Sequence, residues 1–177
     1  MSDKPGDRNM PTGAAARVII VTGVEGTGKT TIGKLLAQRL GWQFYDADDF
    51  HTAKAKQKMA AGVALTDDDR RPWLRALRDL IEQHLAVDQP MVLACSALKQ
   101  SYRDELTVDR NRQAIVYLHG DIELIRERLR RRSGHYAGVS LLDSQFETLE
   151  APRNALAVDV ADSPERIVEK ICAGLGL

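Results

Sequence analysis

Three stretches of the 177-residue chain hold residues that could do chemistry together: GVEGTGKT at 23–30, YDADDFH at 45–51 and RERLRRR at 126–132. The first is a G-x-x-x-x-G-K-[ST] pattern between the apolar run RVIIVT and the helical stretch TIGKLLAQRL, the context a phosphate-binding loop requires. Its glycines let the backbone curl until N–H groups point inward at phosphate oxygens, and the helix start adds its positive end to the same anion. Gly23, Val24, Glu25, Gly26, Thr27, Gly28, Lys29, Thr30 and Thr31 are therefore the candidate ATP-binding residues. Lys29 is expected to reach the β- and γ-phosphates, and the Thr30 hydroxyl to ligate Mg²⁺. Glu25 is the odd member, an acid beside phosphates, at a variable position from which a side chain can turn to solvent.

The second stretch sets Asp46 and Asp48 at alternate positions after a short apolar run, so both can face one crevice near the γ-phosphate. Phosphoryl transfer to a hydroxyl needs a carboxylate to orient the alcohol and take its proton, together with a hydrated Mg²⁺ shell. Asp48 is assigned to the hydroxyl and Asp46 to the metal shell. The bland alternative is a polar turn leading into a helix near Thr52, with Asp49 close to its positive end. In the third stretch Arg128 and Arg132 are spaced i, i+4 and share a helix face, so both can close on the transferring phosphate as a lid over about 126–140. Arg130 and Arg131 are expected to face solvent. No asparagine begins the guanine-selecting N-K-x-D, and the third strand ends ACSALK rather than in the acid of a motor ATPase. A small-molecule kinase is the economical reading.

The elements that must position these residues alternate along the chain. Short runs at 17–22, 43–46, 90–95, 114–119 and 155–160 are apolar and several are nearly continuous, as strands covered on both faces are. Between them Trp73, Leu74, Leu77, Ile81 and Leu85 recur at helical spacing, as do Ile122, Ile125 and Leu129. Ser163 and Pro164 read as the N-cap and first residue of a last helix. The expected fold is α/β, a doubly wound five-stranded parallel sheet with helices on both faces and a helical lid. Ligands then sit at the carboxyl ends of the strands, where the motifs fall. Residues 1–16 read as a flexible tail and 17–177 as one domain.

Lys plus Arg and Asp plus Glu both number 25, which argues against bulk electrostatic binding to nucleic acid or an anionic membrane. No apolar run approaches the roughly 20 residues of a bilayer span, and the polar N-terminus lacks the core of a secretory signal. Cys95 and Cys172 fit no metal spacing and read as buried reduced thiols, pointing to a reducing, cytoplasmic compartment. The four histidines form no ligating pair.

Five blocks in order resemble the gluconokinases, small P-loop kinases of the shikimate- and adenylate-kinase type. They are GVEGTGKT; DADDFH with Lys58 and Met59 after it; LTDDDRRPWL; CSALKQSYRDEL; and GHY followed by LLDSQFETLE. The resemblance runs from about residue 17 to 170 and implies the P-loop NTPase fold, ATP and Mg²⁺ as cofactors, and a homodimer. It also implies phosphorylation of D-gluconate at its terminal hydroxyl to 6-phosphogluconate. A carboxylate calls for a cation and a polyol for mixed donors and acceptors, so Arg70, Lys99 and Arg103 are candidates for charge. His51, Ser96 and Tyr102 are candidates for hydroxyls, with His135 in the GHY block. Trp73 reads as a core anchor rather than a sugar platform. By the same analogy residues 153–157 border the adenine. Ala47, Thr52 and Ala55 stand where the family commonly has Gly, Pro and Asn, all beside the acceptor site. The rival readings are a kinase for another aldonate and a non-catalytic nucleotide-binding module.

Overall fold

Strand β1 (Val18–Thr22) is buried at all five positions, because helices cover both of its faces. The computed structural model describes residues 16–133 and 137–177, with side chains given for 16–131 and 141–177. After β1 come α1 (Lys29–Leu40), β2 (Gln43–Asp46), a 3-10 turn (Ala47–Phe50), α2 (Ala53–Ala60) and α3 (Asp67–Ala86). The chain continues through β3 (Met91–Ala94), α4 (Gln100–Leu106), β4 (Gln113–His119), α5 (Ile122–Ser133), α6 (Ala137–Thr148), β5 (Leu156–Asp159) and α7 (Pro164–Leu175). All pairings are parallel and the strand order is β2-β3-β1-β4-β5. Each expected strand is present, with ends shifted by at most one residue.

Two apolar layers flank the sheet. On one face Ile19, Val21 and Val116 pack with Leu36 of α1 and Ile167 and Ile171 of α7. On the other Ile20 and Leu93 pack with Trp73, Leu74, Leu77 and Ile81, the helical stripe of α3. Burying each such side chain is worth about 1.5–3 kcal/mol relative to exposure. Ala16, assigned from sequence to the tail, is fully buried in the first layer. Its small methyl continues the apolar run of β1, and the next amide, of Arg17, bonds to the Arg112 carbonyl at 2.8 Å.

The helix starts are specified locally. Thr66 caps α3 by accepting the Asp69 amide, and the Asp69 carboxylate accepts the Thr66 amide in return, a closed capping box. Thr52 caps α2 through the Ala55 amide, so the residue standing where the family commonly has Pro does a helix-starting job of its own. Ser163 and Pro164 open α7 as their types predict.

Candidate active site

The turn after β1 is a phosphate loop shaped by glycines in the left-handed region, Gly26 at φ 84° and Gly28 at φ 89°. A Cβ at Gly23 would stand 2.5 Å from the Leu118 carbonyl oxygen, and one at Gly26 would stand 2.8 Å from Leu129, so both positions exclude a side chain. The Val24 side chain is buried while its carbonyl accepts the Thr27 hydroxyl at 2.8 Å and the Lys29 ammonium at 3.1 Å. Burial pulls the Lys29 pKa down, against the opposing pull of the Asp48 carboxylate. A partly desolvated cation held over the loop gains more from an incoming phosphate than a hydrated one would.

Thr30 and Asp46 meet as expected: the Thr30 hydroxyl donates to Asp46 Oδ2 at 2.7 Å. Asp46 Oδ1 accepts the Asp48 amide at 3.1 Å, which starts the 3-10 turn and swings Asp48 outward. The Asp48 side chain is 86% exposed, with His51 Nε2 4.0 Å from its Oδ1. A carboxylate this open, close to both Lys29 and the phosphate loop, is free to meet an acceptor hydroxyl. Asp49 is exposed, and its carbonyl accepts Lys56 of α2.

Beside Asp48 lies a cluster of polar and aromatic side chains. The His51 ring stacks on Trp73 at 4.6 Å between centroids, 10° from parallel. Trp73 is buried and donates its indole N–H to the Ala47 carbonyl at 2.7 Å, so it is the core anchor expected and also the floor under His51. His51 Nδ1 and Arg70 Nε are buried without a protein partner, a state that costs about 1–3 kcal/mol per group unless a polar ligand or water supplies the bond. Burial holds the His51 pKa below its ordinary value, outweighing the Asp48 charge, and Arg70 and Lys56 push the same way. The ring is neutral near pH 7 and can accept as well as donate.

Lys99 and Tyr102, expected to hold substrate, converge on Asp67 at the start of α3, with Lys99 Nζ 3.0 Å from Asp67 Oδ1. Arg70 lies 5.7 Å from the Tyr102 ring on the same flank. The hydrogen bonds from Tyr102 and Lys99 hold the Asp67 carboxyl below the usual carboxylate range, so at neutral pH it is an anion seated between cations. Sequence reasoning passed over Asp67. The signal was the triple acid of LTDDDRRPWL, which reads equally well as helix-start chemistry. Ser96 is half-buried at the carboxyl end of β3, its carbonyl accepting the Thr22 hydroxyl.

Two expectations need correction. Arg103 is 2% exposed, and its guanidinium donates to the carbonyls of Ala97, Leu98 and Glu150 and to Gln100 Oε1. It braces the acceptor loop from behind and is not placed to meet a sugar acid. Arg128, expected to close on the transferring phosphate, instead donates to the Val160 carbonyl at 2.6 Å and lines a cavity of about 350 Å³ with Gly26, Thr31, Asp162, Pro164 and Ile167. That cavity opens beside the phosphate loop and suits the base end of a nucleotide. Arg153 and Asn154, expected to border the adenine, precede β5 and line a separate cavity with Arg103 and Glu150. Arg130 and Arg131 are exposed and pair with Glu127. The Arg132 side chain and His135 lie outside the described residues.

These groups share one task, presenting the end of a nucleotide's phosphate chain to a hydroxyl, and they define a P-loop phosphotransferase. The shikimate kinase family model matches residues 25–172. A probable gluconokinase of Mus musculus is 42% identical over 181 residues, covering 91% of this chain and 98% of the relative. The gluconokinase of Gluconobacter oxydans is 39% identical over 162 residues, covering 90% and 91%. A gluconokinase crystal structure from Sinorhizobium meliloti superposes with a TM-score of 0.80 at 41% identity, covering 96% and 94%. At 19% identity and a TM-score of 0.57, a shikimate kinase structure from Aquifex aeolicus shares the P-loop fold over 90% of this chain and 96% of its own. The chain belongs to the shikimate kinase family, in its gluconokinase branch.

Proposed function

We propose that the protein transfers the γ-phosphoryl group of ATP to the primary hydroxyl of D-gluconate, giving 6-phospho-D-gluconate and ADP. The observation that carries this reading is the open Asp48 carboxylate, near both Lys29 and a side-chain cluster in which His51 Nδ1 and Arg70 Nε lack partners. A polyhydroxy acid supplies hydrogen-bonding groups that those atoms lack. The gluconate hydroxyl approaches Asp48, which orients it and takes its proton as the oxygen bonds to the γ-phosphorus. The bond from that phosphorus to the β–γ bridging oxygen breaks, and ADP leaves. Lys29 and the loop amides hold the charge on the phosphoryl oxygens. Arg70 and Lys99 are the cations available to the sugar-acid carboxylate, with Tyr102, Ser96 and His51 on the hydroxyls.

Thr30 and Asp46 present oxygen donors to one point, and among the described residues no group of three or more His, Cys, Asp or Glu could hold a metal alone. That donor set fits Mg²⁺, which keeps waters and phosphate oxygens in its shell and here would neutralise charge on the β- and γ-phosphates. No helix among the described residues is long and apolar enough to cross a membrane. The buried free thiols favour a cytoplasmic enzyme, and the homodimer implied by the family is readable by light scattering.

A coupled ADP-release assay across gluconate, other aldonates, shikimate and nucleoside monophosphates tests the reading. Gluconate should give the highest kcat/KM. ADP release from gluconate no faster than from buffer would overturn the substrate, and ATP binding without release for any acceptor would favour the non-catalytic module.

A further inference from the structure

One amide of the phosphate loop is already spoken for. The backbone N–H of Glu25 donates to Gln145 Oε1 at 2.6 Å, across 120 residues of sequence. Because the partner is a backbone donor, the carboxamide must present its oxygen, which fixes its flip. Among the described residues the Gln145 nitrogen has no partner, so two N–H donors remain beside the loop.

Gln145 is held firmly in place. It lies on α6 one turn after Leu142, which is fully buried, and Phe146 packs against the same core. Asp143 on this helix pairs with Arg126 of α5 at 2.7 Å. Just beyond α6, the Glu150 amide donates to the Leu98 carbonyl and the Glu150 carboxylate accepts the Gln100 amide. One helix and its closing turn thus grip the donor loop at Glu25 and the acceptor loop at Leu98 and Gln100.

We propose that Gln145 is a positioning residue for phosphoryl transfer: acting through the Glu25 amide, it sets the phosphate loop against the acceptor loop. This rests on the kinase reading above. The remaining loop amides and Lys29 bind nucleotide without it, so its loss should be felt in kcat rather than in affinity. Misplacing reacting groups by about 1 Å can cost about a hundredfold in rate.

The test compares wild type with Gln145→Ala, Gln145→Met and Gln145→Glu. For the first two, kcat should fall by about tenfold to a hundredfold while ADP affinity, read by calorimetry, changes by less than about threefold. A carboxyl group can accept from the Glu25 amide whether or not it is ionised, but its charge repels phosphate. The activity of Gln145→Glu should therefore approach wild type at low pH and decline as pH rises, a profile that a helix-docking role would not produce. Near-wild-type kcat in Gln145→Ala overturns the proposal. So does a joint fall of kcat, ADP affinity and melting temperature, which marks simple docking of α6. So does tighter nucleotide binding at unchanged kcat, which marks a plug in the empty loop. If gluconate proves inert in wild type, the kinase reading is what fails, and the same ratios are read with whichever acceptor supports ADP release.

Discussion

Asp48 and Asp46 are two residues apart and of one type, yet their surroundings give them different work. Asp46 is held by Thr30 and by the Asp48 amide, while Asp48 projects with 86% of its side chain exposed. Asp48→Asn should therefore lower kcat by about two to four orders of magnitude with ATP affinity nearly intact, the range expected for a lost general base. Turnover within a few-fold of wild type would remove Asp48 from the chemistry. His51 makes the opposite case, a group kept neutral by burial. Its folded pKa lies below the ordinary value of about 6.5, so the unfolded chain binds the proton first as pH drops. The contribution of the neutral ring to stability is whole above that value and is lost as pH falls below it. Thermal melts across pH should show this acid-side loss in wild type and a smaller one in His51→Gln.

Element boundaries were legible wherever the chain carries its own instructions. Thr66 with Asp69, and Ser163 with Pro164, start α3 and α7 by contacts within three residues. Thr66→Ala should destabilise the protein by about 1 kcal/mol in chemical denaturation, the usual worth of an N-cap. A change within error would mean that Asp69 and Lys58, paired at 2.8 Å, hold the helix start without it. The same locality explains why these groups could be placed together from sequence: the phosphate loop, Asp46 and Asp48 each sit on one turn after one strand. Gln145 was not legible because its partner, Glu25, lies 120 residues away, and Arg103 because its nearby carbonyl partners leave no side-chain signature and Glu150 is distant. An arginine in a charged helix looks the same whether it will hold carbonyls or a substrate. Arg128 was not legible either, because the turn after β5, which claims it through Val160, left no mark nearby in the chain.

Across the whole molecule, the strand order places β3 between β2 and β1, so acceptor acids and phosphate loop stand one strand apart. That gap is bridged from above by the Thr30–Asp46 bond, and the sheet beneath it is rigidly packed. Both cysteines belong to this packed interior: Cys95 is buried and its thiol is pushed up to about 12, and burial raises Cys172 as well. Native protein should resist alkylation at pH 8 and take up two labels once unfolded, as mass spectrometry can count. Rapid labelling of the native form at either position would contradict the packing described.

The stacked pair of Trp73 and His51 also makes the molecule its own optical instrument. An indole in contact with an imidazole changes its emission when that ring gains a proton or a new hydrogen-bond partner. Trp42, the other tryptophan, packs at the junction of α1 and β2, on the opposite layer, and can be replaced by phenylalanine to leave a single emitter. Light from Trp73 would then report any ligand that engages His51 in real time, with no label and no coupled assay.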